Sequence, residues 1–489
     1  MQDAILAVDQ GTTNSKAILV AADGSILAQG AAAVTTAYPR PGWVEQDALQ
    51  LWDSILAAIR ACLDSGPAVT ITALGISNQR ESILVWNRHT GEPLGPVVTW
   101  QCRRTAAACE ALKAAGHEAR VVALTGLPLD PLFPATKIAW LLEQHVQGLA
   151  AEDICIGTVD AWLIWNFSGG RVHACDASNA ARTQLYNLSS ACWDDELCKL
   201  FGVPKAALPQ VQDSSSLFCQ TRNVAGVPDG IPVAAAIGDS HAALFGHGAF
   251  QTGDGKITFG TGSSVMTTIP DFMVPPPGIT TTIAWSLQGK ATYAFEGNIL
   301  VSASILPWTA TLLGLESVDA LLALAGQVPD TEGVVLVPAH VGLGSPHWNA
   351  QARGLICGLS FAAGPAQVAR AAAESMAFQV YDVFRIVADN TGSGIGQLFI
   401  DGGPSRNPFL MNRVAGYLDH PLISCPSTEA SARGAAYLAG LATGVWADLK
   451  TVAGLEVHGE VLRPTMDRAG REQALALWHD AVARTMLAT

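Results

Sequence analysis

Apolar and polar residues fall in blocks along this chain, and the blocks read as short buried strands that empty into polar turns. Residues 4–8 and 17–20 are apolar runs of strand length, and the stretch between them, Asp9-Gln10-Gly11-Thr12-Thr13-Asn14-Ser15-Lys16, is polar around one glycine. This pattern predicts an N-terminal β-hairpin. It recurs about half a chain later: Lys256-Ile257-Thr258-Phe259-Gly260-Thr261-Gly262-Ser263-Ser264-Val265-Met266 is again strand, Gly-Thr-x-Ser turn and strand. Further apolar runs at 71–76, 96–99, 154–158, 231–237, 334–337 and 398–400 predict more strands. Trp52, Ile55, Leu56, Ile59 and Leu63 recur at helical spacing, and Asp64-Ser65-Gly66-Pro67 closes that helix. Other helices are predicted to open within 131–137, to run from Gly364-Pro365 to about Asp389, and to cover 429–440 and 468–487. Asp176-Ala177-Ser178-Asn179 reads as a polar loop, and the polar stretch 246–254 as a hinge. The expected division is therefore 1–247 and 248–489, two related domains facing each other across a cleft.

Composition narrows the class. A chain of 489 residues exceeds one ordinary core, so two large domains are the natural expectation. Hydrophobic residues at 49% against 14% charged, with 47 glycines, fit a well-buried α/β enzyme. A net charge of −14 without a compensating basic run argues against a nucleic-acid partner. The N-terminus enters a strand at once, and no apolar stretch is long enough to cross a bilayer, so a cytoplasmic protein without membrane insertion is expected. The ten cysteines form no C-x-x-C pair, as expected of reduced structural thiols.

Several polar turns then offer chemistry. In the first hairpin Gly11 lets the backbone approach a ligand, and hydroxyls and N–H groups can wrap phosphate oxygens. Asp9, at a strand end, can hold Mg²⁺ directly or through water. An ordinary polar hairpin would look the same singly; the second copy favours phosphate. Strand 71–76 empties into Ser77-Asn78-Gln79-Arg80-Glu81, where ligands sit in such folds. The fork of Arg80 and the acceptors of Glu81 suit vicinal hydroxyls, though a local salt bridge fits too. Trp100 is either an apolar wall against carbon-bound hydrogens or a core tryptophan. Asp239, straight after strand 231–237 in Gly238-Asp239-Ser240-His241, is a candidate for catalysis, for capping the next helix, or for both. His241 and His247 lack metal-ligand spacing and read as structural or pocket-lining. Asp401-Gly402-Gly403-Pro404-Ser405-Arg406-Asn407 follows a strand, and its paired glycines let a backbone lie flat against a nucleotide. Neither G-x-x-x-x-G-K-[ST] nor a strand-linked G-x-G-x-x-G is present, which excludes a Walker-type site and weakens a dinucleotide one.

The duplicated hairpin resembles the actin-like ATPase superfamily. More specific blocks resemble the FGGY carbohydrate kinases, glycerol kinases above all: D-Q-G-T-T-N-S-K at Asp9, Y-P-R-P-G-W-V-E at Tyr38, S-N-Q-R-E at Ser77, W-Q-C-R-R-T at Trp100, G-L-G-S-P-H-W at Gly342, D-G-G at Asp401 and G-A-A-Y-L-A-G-L at Gly434. The resemblance implies an α/β fold of two actin-like (ribonuclease H-like) ATPase domains with a catalytic cleft between them. It implies ATP and Mg²⁺ as cofactors, a small polyol or sugar as acceptor, and a homodimer or homotetramer. By matching position, Asp9 and Asp239 would serve the metal, and Thr12, Thr13, Asn14, Lys16, Thr261, Gly262, Ala303, Gly403 and Asn407 the nucleotide. Arg80, Glu81, Trp100, Leu132, Asp239, Ser240 and Ser264 would line the acceptor, with Asp239 as general base. The implied reaction is transfer of the ATP γ-phosphate to a hydroxyl of glycerol or a related small polyol. A ketose kinase of the xylulose or ribulose type is the alternative, and an actin-like ATPase or inactive sugar sensor the alternative from another class.

Departures from the glycerol kinase pattern gather at the acceptor. Leu132 stands where that group has a tyrosine, Ser240 where it has a glutamine, Ser264 where it has a phenylalanine, and Ala303 where it has a glycine. The lost phenol and amide remove hydrogen-bond partners and the smaller residues free volume, so an acceptor larger than glycerol, a tetritol or a small ketose, is expected. The loop 223–230, which resembles the sugar-bisphosphate inhibitor loop of some glycerol kinases, has no basic residue and carries Asp229, so no such inhibition is expected.

Overall fold

The computed structural model describes residues 2–426, 429–456 and 458–487. The first half is organised on a six-stranded sheet made of β1 (Gln2–Gln10), β2 (Asn14–Ala21), β3 (Ile26–Ala33), β4 (Val69–Asn78), β5 (Ser215–Gln220) and β6 (Pro232–Gly238), in the order β5-β6-β4-β1-β2-β3. β1 is the centre: Leu6, Ala7 and Val8 are wholly buried, as an apolar run covered on both faces requires. β4 is longer than the apolar run 71–76 because polar Ser77 and Asn78 still pair with Asp9 and Gln10 of β1. Helix α1 (Ala48–Ser65) is capped by Asp47, which accepts from the N–H of Leu49 and Gln50, and it ends at Gly66-Pro67 as its sequence predicts. α2 (Pro134–His145) follows on the flank, and α3 (Asp239–Gly246) leaves β6.

The second half repeats this plan on β7 (Gly255–Phe259), β8 (Ser263–Ile269), β9 (Thr280–Leu287), β10 (Lys290–Ile299), β11 (Leu398–Gly402), β12 (Leu422–Ser424) and β13 (Val461–Leu462), ordered β9-β10-β8-β7-β11-β12-β13. Each sheet has a hairpin (β1–β2, β7–β8), an antiparallel strand beyond its second arm, and two parallel strands beyond its first. The long α4 (Pro365–Asn390) covers the second sheet. The helix predicted for 429–440 is α5 (Ala430–Thr443), and the last helix is α6 (Arg468–Leu487). α6 is an outer helix with one buried stripe, in which Trp478 donates to Asp382 of α4 at 2.7 Å.

One hydrophobic cluster joins the halves: Ile5, Ala7 and Ile18 from the first sheet, Met266, Ala284 and Phe399 from the second, with α3 and α5 between. α5 therefore packs against the first sheet and α3. Small residues permit this. A Cβ on Gly434 would lie 2.0 Å from the carbonyl oxygen of Ala242, and one on Gly75 of β4 would lie 2.4 Å from that of Ala435. The stretch 176–179 is not a loop either. Asp176 ends a short strand and caps the buried turn of helix Ala177–Ala180, accepting from the N–H of Ser178 and Asn179. Burial of that turn makes its polar side chains bond inward, which a local pattern of polar residues cannot reveal.

Candidate active site

The carboxyl ends of β1, β4, β6, β7 and β11 open on one cavity of about 480 Å³ between the halves. Asp9, Gly11, Arg80, Asp239, Ser240, Ser264 and Gly403, all expected from sequence, line it, and so do Lys256, Thr258 and Asp401, to which sequence gave no role.

Asp9 Oδ1 accepts from Ser77 Oγ at 2.7 Å, across the β1–β4 pairing. The second sheet inverts the arrangement, with the hydroxyl (Thr258) on the hairpin strand and the carboxylate (Asp401) on its parallel neighbour. Burial pushes Asp9 up to about 6, against the Ser77 bond, with the nearby charge of Asp239 adding to it. Asp401 goes the other way. Burial opposes its charge, but His247, 2.5 Å away, and Lys256 hold it down at about 2. His241 is fully buried behind the cavity, 3.4 Å from Thr282 Oγ1, and burial holds its pKa well below the ordinary value.

Asp239 is the first residue of α3, and the capping position belongs to Gly238, so the carboxylate is not spent as a cap. Its Oδ1 receives Arg80 Nε at 3.2 Å and the N–H of Ser240 at 2.6 Å. Oδ2 has no partner among the described residues, and 37% of the side chain is open to the cavity. Burial raises its pKa, against the pull of Arg80.

Arg80 and Glu81 do not pair with each other as a local bridge. Arg80 Nη1 lies 2.8 Å from Glu296 of β10, whose other oxygen lies 2.9 Å from Arg182 Nη1, and Arg182 Nε donates to Glu81 at 2.6 Å. A left-handed backbone at Glu81 (φ 60°) turns the two neighbouring side chains apart. Burial would raise Glu296, but the two guanidiniums hold it well below the carboxylate range.

Trp100 and Leu132 do not line the cavity. Trp100 Nε1 donates to Thr12 Oγ1 at 2.9 Å. Leu132 is fixed through its carbonyl by Lys137 Nζ at 2.9 Å, which also reaches Thr99 O at 2.8 Å. Burial drives Lys137 down to about 7. Ser240 and Ser264, from opposite halves, meet at 3.3 Å between hydroxyl oxygens.

Of the nucleotide candidates, Thr13 and Asn14 are exposed at the first hairpin tip, with Thr12 beside them. Lys16 instead reaches across to Glu429 at 3.0 Å. In the second hairpin the carbonyls of Gly260 and Thr261 accept from the N–H of Ala303 at 3.0 Å and of Ser302 at 2.8 Å, which seats Ala303 on the turn. A Cβ on Gly262 would lie 2.4 Å from the carbonyl of Ile299, so only glycine fits there. Asn407 caps the helix Pro408–Leu418 by accepting from the N–H of Leu410 at 3.1 Å.

Sequence reasoning missed Arg182, Glu296, Lys256 and Lys137 as functional neighbours. Each is a single charge inside an apolar or small-residue run, and a charge that must be buried has to find a partner. That signal was available; the identity of the partner was not.

Among the described residues no three His, Cys, Asp or Glu side chains gather as a metal cage. Asp9 and Asp239 do present two hard oxygen donors to one roomy cavity, which suits a Mg²⁺ ion that keeps waters and shares phosphate oxygens. No helix among the described residues is long and apolar enough to cross a membrane.

Known proteins share this architecture. The chain is 44% identical over 488 residues to the apulose kinase of Pectobacterium atrosepticum, covering 99% of this chain and 98% of that one. It is 43% identical over 490 residues to a glycerol kinase of Stenotrophomonas maltophilia, covering 99% and 98%. The fold matches the crystal structure of Plasmodium falciparum glycerol kinase with ADP at a TM-score of 0.93 and 27% identity, over 99% of this chain and 98% of that one. It matches a ligand-bound xylulose kinase from Lactobacillus acidophilus at 0.91 and 21% identity over 100% and 99%, a likeness of fold alone. Residues 4–246 match the N-terminal domain and residues 255–443 the C-terminal domain of one family, so the chain belongs to the FGGY family of carbohydrate kinases.

Proposed function

We propose that this carbohydrate kinase moves the γ-phosphate of ATP to a hydroxyl of a small ketose or polyol larger than glycerol, with Asp239 as general base. The observation that carries the reading is the state of Asp239: one carboxylate oxygen tied to Arg80 and Ser240, the other open to the cavity shared by both halves. Phosphoryl transfer asks a protein for positioning, charge neutralisation and a group that takes the hydroxyl proton. Residues 1–247 supply the acceptor clamp and base, and residues 248–489 most of the nucleotide site.

Arg80, with Glu81 and Trp100 behind it, orients the acceptor so that one hydroxyl faces the open oxygen of Asp239. That oxygen takes the hydroxyl proton as the acceptor oxygen bonds to phosphorus and ADP leaves. Thr12, Thr13 and Asn14 on one hairpin and Thr261 and Gly262 on the other offer hydroxyls and N–H groups to phosphate oxygens. Gly403 and Asn407 flank the nucleotide. Asp9 and Asp239 would hold Mg²⁺, which neutralises phosphate charge when bound. Closure of the two halves over bound substrates would exclude water as a competing acceptor.

Two findings support an acceptor larger than glycerol. Ser240 and Ser264 meet through hydroxyls alone, and Leu132 brings no hydrogen-bonding group. A relative at 44% identity is an apulose kinase. The test is the initial rate with ATP and Mg²⁺ across glycerol, erythritol, threitol, ribitol, xylitol, xylulose, ribulose, apulose and dihydroxyacetone. A ketose or longer polyol is expected to lead in kcat/KM. Glycerol standing clearly first would overturn the acceptor assignment, and no acceptor above ATP hydrolysis would overturn the kinase reading.

A further inference from the structure

Three carboxylates and two guanidiniums form one alternating chain through the middle of the molecule: Asp239, Arg80, Glu296, Arg182, Glu81. Both ends belong to the first half, and one of them, Asp239, lines the cavity. Only the central Glu296 comes from the second, and its side chain is wholly buried. We propose that Glu296 is the positioning residue of the acceptor site, holding Arg80 so that it engages Asp239 through one nitrogen and leaves the second carboxylate oxygen free for the acceptor hydroxyl. This rests on the reading of Asp239 as the base.

The argument is one of competition for a guanidinium. Arg80 is about nine-tenths buried and has two carboxylates within reach, Glu296 through Nη1 at 2.8 Å and Asp239 through Nε at 3.2 Å. A buried guanidinium takes a carboxylate bidentately when it can, because two parallel N–H bonds beat one. Here Asp239 takes only Nε, and Glu296, 2.8 Å from Nη1, anchors the opposite corner of the guanidinium and so sets the plane in which Nε meets Oδ1 of Asp239. The other oxygen of Glu296 lies 2.9 Å from Arg182, and Arg182 donates to Glu81, so every charge in the chain faces an opposite one. Ser264 Oγ adds a bond of 3.4 Å to the oxygen of Glu296 that faces Arg80. The second half thus sets the geometry of a clamp whose contacting groups all belong to the first. It touches neither the acceptor hydroxyl nor the base.

Charge count makes the point testable without wrecking the fold. Five groups carry three negative and two positive charges, so Glu296→Gln leaves two of each and no unpaired buried cation. The expected result is a fall in kcat of about 10- to 100-fold with the preferred acceptor, ATP KM within about 2-fold of the parent, and a thermal midpoint close to the parent. Because the residue acts through Arg80, the double variant Arg80→Met, Glu296→Gln should be no slower than Arg80→Met alone. Glu296→Asp, which keeps the charge but falls a methylene short, should lose rate as well, and it runs on the same cycle if Glu296→Gln is insoluble. Unchanged kcat in Glu296→Gln, or fully additive losses with Arg80→Met, would overturn the inference. Asp239→Asn assayed alongside separates the two readings: near-parent activity there defeats the base assignment, whereas loss there with an indifferent Glu296 defeats only the positioning role.

Discussion

Asp239 combines two properties that rarely coincide, a deep position and an uncommitted oxygen. A general base contributes about 10²–10⁴ to rate, so Asp239→Asn should lower kcat by that much while ADP affinity, read by titration calorimetry, stays near the parent value. Protonation supplies a second handle on the same residues. Burial raises both Asp9 and Asp239, Asp9 to about 6, so each is a proton-holding acid at a pH where an exposed aspartate is already ionised. Activity needs the ionised forms, and kcat/KM reports the free enzyme. The acid limb of kcat/KM should therefore fall as pH drops through about 6, rather than near the ordinary aspartate value of 3.8. Lys137 is a different case, a buried amine that ties the carbonyls of Thr99 and Leu132 together. Each such bond is worth about 1–3 kcal/mol when its loss strands a buried group. Lys137→Met should raise acceptor KM by about 10-fold, the equivalent of one such bond, and leave ATP KM unchanged.

At the scale of elements, α3 and α5 show how tightly the site is tied to packing. A Cβ on Gly434 would lie 2.0 Å from the carbonyl of Ala242, and one on Gly246 2.2 Å from that of Ala430. Gly434→Ala gains about 1 kcal/mol of helix propensity but forces two backbones apart, and overpacking costs about 1–3 kcal/mol or more. The clash wins because its partner is backbone and cannot turn aside. The variant should melt lower, and kcat should drop because α3, which begins at Asp239, has to move. This contact also marks the limit of what the sequence made legible. Strand ends and turns were readable, since Asp9, Arg80, Asp239 and Gly403 each follow a buried run, and ligand-facing groups collect there. A run of small residues such as that of α5 carries no local mark of which sheet it packs against. Arg182 and Glu296 lie 114 residues apart and meet at 2.9 Å only because the two sheets face each other. A pairing of that kind has no local pattern, so no reading of local periodicity could give it.

At the scale of the whole molecule, charges bridge the halves alongside the apolar cluster of α3 and α5. Glu296 reaches into the first half, and Lys16 of the first hairpin reaches Glu429 at the start of α5. The two bridges differ in exposure, and that decides their roles. Glu296 is wholly buried, whereas Lys16 keeps 38% of its side chain in solvent, so its pair with Glu429 is worth at most about 1 kcal/mol. An interaction that weak yields to a competing polyanion. The triphosphate proposed for this cavity would draw Lys16 away from Glu429, and part of its binding energy would go into breaking that pair. Glu429 also adds to the negative field at Asp9. Glu429→Gln should therefore bind ADP more tightly by up to about 5-fold, the equivalent of 1 kcal/mol, with the gain shrinking as salt screens the exposed pair. Fluorescence or calorimetric titration at two ionic strengths checks both parts. Unchanged or weaker ADP binding in Glu429→Gln would mean that Lys16 and Glu429 stay together in the nucleotide complex, and the nucleotide role of Lys16 would then fall with the prediction.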